Sequence, residues 1–159
     1  MGKIFGFIGV LVMIFFFWQS YLFFSEAKEP IREANSEAAN YVIEHIGVEE
    51  FVSVNFYHGS ESYQVFEALD VNGEEIYIWV AEALDSHVVK PKSDGISFDD
   101  VSLFIKQELT PKKLISIKLG MENTIPLYEI TYKDQQNRLS YYFISFKDGT
   151  YLKNYHLAK

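Results

Sequence analysis

The sequence predicts an α+β protein: an N-terminal transmembrane helix followed by two tandem modules, each a helix packed on a four-stranded antiparallel sheet. Three observations predict this class. An uncharged apolar stretch opens the chain, a heptapeptide pattern at 51–57 recurs at 114–120, and each copy lies between a helix-spaced segment and a hairpin pattern. We therefore divide the chain into an anchor and linker (1–29), a first module (30–92) and a second module (93–159).

The first segment has the length and composition of a membrane span. Residues 4–25 contain no charged side chain. Their apolar part, 4–24, would measure about 32 Å as a helix, against a hydrocarbon core of about 30 Å. Trp18 and Tyr21 lie near one end, where aromatic residues favour the membrane interface. These features predict an uncleaved anchor.

A cleaved signal peptide is the alternative interpretation of the same segment. Ser25 and Ala27 are small residues in the spacing that signal peptidase requires, but a signal core usually has only about 7–15 residues. The basic residues do not decide the orientation, because Lys3 lies on one side and Lys28 and Arg32 on the other.

The repeat is clearest in the pair "FVSVNFY" (51–57) and "LISIKLG" (114–120). Alternation along a strand predicts that one face of the first copy carries Val52, Val54 and Phe56. The corresponding face of the second copy carries Ile115, Ile117 and Leu119.

Each strand follows a segment with helical spacing. The apolar face of the first helix is Ala34, Ala38, Tyr41, Val42 and Ile46, and that of the second helix is Ser97, Val101, Phe104, Ile105 and Leu109. Gly47 is the expected C-terminal cap of the first helix, and Ser97 the expected N-cap of the second.

Hairpins follow in both halves. Asn72-Gly73 is a strong hairpin signal, whereas the second hairpin has "DQQN" (134–137), which lacks the expected glycine. Pairing Glu67 with Glu129 makes the offset between the hairpins one residue shorter than the offset between the heptapeptides, as a difference in turn length would do. The short strands "HVVK" and "YLKNYH" complete the two modules.

Composition and motif content argue against several functions. A net charge of −8 disfavours a nucleic-acid partner, and the absence of cysteine excludes disulfides and thiolate chemistry. The four histidines (His45, His58, His87 and His156) have no metal-ligand spacing, and "DVNGEE" (70–75) is explained better by a solvated turn than by a calcium loop. Without a recognised catalytic motif, we predict no enzyme activity, cofactor or metal.

Aromatic residues are the one feature in excess. Tyr77 and Trp79 alternate with aliphatic residues, and Tyr141 and Phe143 repeat this pattern. Since a helix covers only one face of a sheet, the other face must pack on the sister module, pack on a partner, or remain an exposed aromatic patch. We name these four as candidate partner-binding residues and keep packing between the modules as the alternative.

The order of segments resembles a known family. An N-terminal anchor, "YQVFEALDVNGEEIYIWV", "SDGISFDDVSLFIKQE" and "LYEITYKDQQNRLSYYFISFKDGTYLKN" together resemble the YpmB/TseB-like family of Gram-positive bacteria. The resemblance implies two cystatin-like domains related to PepSY domains, an anchored N-terminus in the cytoplasm, and modules outside the cell. It further implies regulation of cell-wall elongation, association with a class B penicillin-binding protein, and no catalytic residues.

Two other functions remain open at this point. The cystatin and PepSY resemblance is also compatible with a peptidase inhibitor or a chaperone-like module. A small ligand carrier would need a polar group inside an aromatic pocket, and His45 or Glu67 would be its candidates.

Overall fold

The computed structural model describes residues 36–157. Its elements are α1 (residues 36–45), β1 (Val48–His58), β2 (Ser62–Asp70), β3 (Glu75–Ala81), β4 (His87–Pro91), a 3₁₀ turn (Lys92–Asp94), α2 (Phe98–Phe104), a π-helical turn (Ile105–Leu109), β5 (Lys113–Glu122), β6 (Ile125–Lys133), β7 (Leu139–Ser145) and β8 (Tyr151–His156). Both sheets belong to one compact unit, Asn40–Lys159.

The strands form two four-stranded antiparallel sheets, which confirms the predicted α+β class. The strand orders are β1-β2-β3-β4 and β5-β6-β7-β8, so every strand pairs with its sequence neighbour. The predicted anchor lies outside the described residues. Within 36–157, no helix combines the length and apolar content needed to cross a membrane. The module boundaries stay predictions.

A β-bulge at the same position in each copy corrects the predicted strand faces. In β1, Phe51 lies opposite Ala68 and Ser53 opposite Glu67, so the pairing skips Val52. The skipped residue resets the alternation. Phe51 therefore joins Val54 and Phe56 on one face, and Val52 is 54% exposed.

The second sheet repeats this bulge at the equivalent position of its heptapeptide. The pairing of β5 with β6 places Leu114 opposite Tyr132 and Ser116 opposite Thr131, so it skips Ile115, which is 48% exposed. The prediction that Ile115 shares a face with Ile117 was therefore wrong for the same reason as in the first copy. The repeat includes the irregularity as well as the strands.

Both central hairpins use the same turn. In the first, Gly73 N donates to Asp70 O (2.9 Å) and Asp70 N donates to Glu74 O (2.9 Å), with Gly73 at φ +80°. In the second, Asn137 N donates to Asp134 O and takes φ +64°. Asparagine is among the non-glycine residues that best tolerate this left-handed conformation. It therefore replaces the glycine that "DQQN" lacks.

The register also corrects the alignment of the acidic residues. Tyr77 lies opposite Glu67, and its counterpart Tyr141 lies opposite Thr131. The counterpart of Glu67 is thus Thr131 and not Glu129, so the offset between the hairpins is longer than that between the heptapeptides and not shorter. Five residues separate the paired Tyr57 and Tyr63, and six separate their counterparts Gly120 and Leu127, so this connection is one residue longer in the second copy.

Each sheet has a helix whose described contacts match the sequence pattern. Val42 in α1 is fully buried, and the hydroxyl of Tyr41 lies 2.9 Å from His87 Nδ1 on β4. Val101 in α2 and Ile105 at the start of the π-helical turn are buried. Ser97 and Asp100 form a reciprocal capping box, which satisfies the first backbone donors of the helix. Thr110, at φ 39°, ends the π-helical turn.

One hydrophobic core joins the two sheets. Its buried members come from both halves and include Tyr57, Val65 and Trp79 from the first and Leu119, Tyr128 and Phe146 from the second. The sheet face that α1 does not cover is therefore packed against residues of the other repeat.

Candidate functional site

Two of the predicted binding residues lie in this shared core. Tyr77 and Trp79 are on β3, and both are almost completely buried. Phe146 meets Tyr77 edge-on, with ring centroids 5.9 Å apart, and Trp79 at 5.6 Å. Their burial favours packing between the repeats for these two residues.

Phe146 is not among the residues predicted from the sequence. It lies just beyond β7, and its backbone N–H donates to Pro126 O at 3.0 Å. A Cβ built on Gly95 would lie only 2.3 Å from the Phe146 ring, so a residue larger than glycine at 95 would collide with it. The only signal in the sequence was the aromatic residue at the end of the "YYFISF" run.

The other two candidates lie on β7, and they differ in exposure. Phe143 is buried beneath Lys153, whose Nζ lies 4.5 Å from the ring centroid, and beside the ring of Tyr155. Tyr141 is only half buried, and its ring stacks on that of Tyr155 with centroids 4.9 Å apart. We call Tyr141 and Tyr155 the tyrosine pair. Of the four predicted residues, Tyr141 is the most accessible to a partner.

The tyrosine pair lies beside an unusual group of charges. Glu122 accepts hydrogen bonds from Lys153 Nζ (2.5 Å) and from the hydroxyl of Tyr57 (3.0 Å). Burial, followed by the charge of Glu122, raises the pKa of Tyr57 far above its ordinary value. Burial also raises the pKa of Glu129, which accepts a bond from Thr131 Oγ1 at 3.3 Å. Tyr57 comes from the first sheet, so this group joins the two repeats.

Strand β8 forms an accessible edge of the second sheet. It pairs with β7 on one side and is the last strand in the order. Its exposed apolar side chains, together with that of the following residue, are Tyr151, Leu152, Tyr155 and Leu157. An edge strand with apolar side chains is a ready contact for an extended segment of another protein. By contrast, β4 has five residues, among them Lys90 and Pro91, and such features protect an edge.

The polar residues considered for chemistry serve local structure. His45 Nδ1 lies 2.9 Å from Tyr41 O, one helical turn earlier. Glu67 accepts bonds from Lys92 Nζ (2.7 Å) and Ser53 Oγ (3.2 Å), and Asp100 closes the capping box of α2. The structure brings none of these three into contact with another. Within residues 36–157, no group of acidic or histidine side chains could hold a metal ion.

Glu67 does line a cavity, as the carrier interpretation requires. The cavity has a volume of about 80 Å³ and is also lined by Tyr77, Phe98 and Leu119. Pockets for organic ligands usually have about 300–1,000 Å³. This cavity is thus too small for such a ligand, and Glu67 is already paired with Lys92.

Comparisons with known proteins support the resemblance noted from the sequence. Residues 37–81 match the family model described as a cell wall elongation regulator TseB-like domain. The chain is 31% identical over 102 residues to the "Probable cell wall elongation regulator TseB" of Bacillus subtilis (strain 168). The aligned segment covers 64% of this chain and 63% of the relative. The match therefore spans less than two thirds of that relative.

A solved structure agrees with the fold. The YpmB protein from Bacillus subtilis superposes with a TM-score of 0.70 at 28% sequence identity. The match covers 77% of this chain and 96% of that structure. It therefore extends well beyond the segment matched by the family model.

Proposed function

We propose that this chain belongs to the YpmB/TseB-like family and that it regulates cell-wall elongation as a non-enzymatic, membrane-anchored protein. Its partner in this proposal is a class B penicillin-binding protein. The observation that carries the proposal is the sequence similarity to a protein named as a probable cell wall elongation regulator, and the similarity in fold to the YpmB protein supports it.

The proposed location combines the first segment of the sequence with the family resemblance. The uncharged stretch 4–25 supplies the membrane anchor. The resemblance supplies the orientation, with the N-terminus in the cytoplasm and the two cystatin-like modules outside the cell. A protein in this position is close to the enzymes that polymerise peptidoglycan on the external face of the cell membrane. This location supports contact with a membrane-bound synthase.

Binding, rather than catalysis, agrees with the roles of the described side chains. His45, Glu67 and Asp100 are each engaged in local structure. The second sheet, in contrast, presents the tyrosine pair and the apolar edge of β8. Aromatic side chains are enriched among residues that dominate the energy of protein interfaces. We therefore assign partner binding to Tyr141 and its neighbours on the second sheet.

Crosslinking in living cells tests the proposal. The full-length chain with an affinity tag is crosslinked in cells, and captured proteins are labelled with a fluorescent penicillin. We expect a labelled class B penicillin-binding protein, and we expect Tyr141→Ala to abolish its capture. Tyr142→Ala is the matched control, because Tyr142 is the next residue on β7, faces the opposite side and packs near Phe104.

The outcomes separate the alternatives. Capture by wild type and by Tyr142→Ala, with loss in folded Tyr141→Ala, supports the proposal. Recovery of a peptidase in place of a penicillin-binding protein would support the inhibitor interpretation instead. Failure of the wild-type chain to capture any penicillin-binding protein would overturn the proposed partner.

A further inference from the structure

The two repeats touch at equivalent positions. Tyr57 ends the first copy of the heptapeptide and Gly120 ends the second. A Cβ built on Gly120 would lie 2.3 Å from Cδ2 of Tyr57, so the tyrosine ring rests directly on the glycine backbone. A side chain at 120 would exclude the ring. The repeat therefore diverges at the point where its two copies meet.

The hydroxyl of Tyr57 continues this contact into the second sheet. It donates to Glu122 Oε1 at 3.0 Å, and Glu122 Oε2 accepts from Lys153 Nζ. Lys153 in turn lies over the ring of Phe143. One chain of contacts thus links β1 to β5, β8 and β7. The link therefore contains directional hydrogen bonds as well as apolar contacts. These hydrogen bonds involve a charged carboxylate, and such bonds are stronger than those between neutral groups.

Glu129 on β6 lies next to this link. The groups that act on it are Lys118 and Glu122 from β5, Lys153 from β8, and the Thr131 hydroxyl from its own strand. After burial, which is the larger cause, its carboxylate helps to raise the pKa of Tyr57 on β1 and of Tyr155 on β8. On β7, the uncharged ring of Phe143 lies opposite Glu129. Glu129 is thus a half-buried acid beside a second acid.

We infer that Tyr57, Gly120, Glu122 and Lys153 form a clasp that holds the two sheets at a fixed angle, and that Glu129 tightens the clasp by taking up a proton. Protonation removes the cost of holding a charge in a half-buried place, which is the main reason why the pKa of Glu129 is raised. It also removes the weaker repulsion between Glu129 and Glu122, while the attraction of Glu129 to Lys118 and Lys153 is lost.

The sign of the pH response follows from linkage. Burial raises the pKa of Glu129 above the ordinary glutamate value of 4.5. In an open arrangement, without Tyr57 beside it, Glu129 would meet more water and hold its proton less tightly. The closed arrangement therefore binds the proton better, and mildly acidic conditions favour it.

Distance measurements on the full-length chain in detergent micelles test this inference. The chain has no cysteine, so two introduced cysteines accept fluorophores at defined places. Val71→Cys reports on the first sheet and Asp148→Cys on the second, and both positions are exposed. Single-molecule energy transfer then gives the distribution of the distance between the sheets at about pH 7 and about pH 5.

We expect a narrower distribution at the lower pH for the otherwise unchanged chain. Glu129→Gln should be narrow at both pH values, because it mimics the protonated acid. Tyr57→Phe should lose the pH response, and Gly120→Ala should be broad at both values. Glu67→Gln is the matched control, since its described partners, Ser53 and Lys92, both belong to the first half, and it should keep the wild-type response.

Circular dichroism of each variant shows whether its sheets are intact. Two results would overturn the inference in folded protein. One is a pH response that persists unchanged in Glu129→Gln. The other is a distribution for Gly120→Ala that equals that of the parent chain.

Discussion

The two halves of the molecule share their backbone and differ in their charge. Both have four strands in the same order, a bulge at Val52 or Ile115, and a turn closed by Gly73 or Asn137. Residues 36–92 contain 11 acidic and 2 basic side chains, for a net charge of −9, whereas residues 93–157 contain eight of each. Within residues 36–157, the excess of negative charge therefore lies in the first half.

The two halves also differ at the place where they meet. The bulges and the central turns lie at equivalent positions in the two halves. The residue types differ where one half contacts the other, as at Tyr57 and Gly120. A neutral surface repels an anionic partner less strongly than an acidic surface does. The second half is close to neutral and also carries the tyrosine pair and β8, so the difference in charge supports the proposal that this half binds the partner.

The largest expected effect on the free energy of unfolding comes from changing equivalent aromatic residues to alanine. Trp79 and Phe143 are equivalent and buried, so each change to alanine should cost about 3–5 kcal/mol of the free energy of unfolding. Tyr141 is only partly buried, and its change to alanine should cost much less. Denaturant unfolding of the fragment from Pro30 to Lys159 measures all three. A loss at Tyr141 as large as that at Trp79 would contradict its assignment to the surface.

A smaller effect is expected at the two turns. Gly73→Ala should lose about 1–2 kcal/mol of stability, because alanine pays the full cost of the left-handed conformation. Gly73→Asn should lose clearly less, since Asn137 occupies the same conformation in the other half. The same unfolding measurement compares the two variants. Equal losses would show that the two turns do not work alike.

The smallest effect concerns an acid that replaces an apolar residue. Val65 lies opposite Asn55 and Trp79, and Glu129 lies at the equivalent place opposite Lys118 and Phe143. Burial raises the pKa of Glu129 above 4.5. The stabilising contribution of its protonated form is fully present below about 4.5 and is lost as the pH rises through the raised pKa.

Glu129→Gln should therefore raise the melting temperature at neutral pH and leave it nearly unchanged near pH 4.5. Melting curves recorded across this range check the prediction. Thr131→Val is a control that keeps the acid and removes only the hydroxyl bonded to it. A lower melting temperature for Glu129→Gln at neutral pH would reverse the sign of the argument.

Local features of this fold were predictable from the sequence. The cap at Ser97, the turn at Asn72-Gly73 and the strand "HVVK" depend on residues close together in the chain, and each lies where it was predicted. The faces of Val52 and Ile115 were not predictable. A bulge depends on how two strands pair, and alternation within one strand carries no information about it.

The candidate site was predicted only in part, for a related reason. The excess of aromatics correctly indicated a second apolar face, but the sequence did not distinguish a partner from the other repeat as its cover. The packing of Phe146 on Trp79 and of Tyr57 on Gly120 joins residues from different halves of the chain. Such contacts follow from the relative position of the two sheets. Whether any of Tyr77, Trp79, Tyr141 and Phe143 binds a partner stays a prediction.

The proposed function is that the chain acts by binding and not by catalysis. Its most direct test is the rate of side-wall incorporation of a fluorescent D-amino acid in cells that carry only one variant of the chain. We predict that cells with His45→Ala, Glu67→Ala or Asp100→Ala incorporate the label at the wild-type rate. Cells with Tyr141→Ala should incorporate it only at the rate of the deletion strain. Every variant must be present in the cells at the wild-type level. Loss of incorporation in any of the first three, with Tyr141→Ala at the wild-type rate, would contradict the claim.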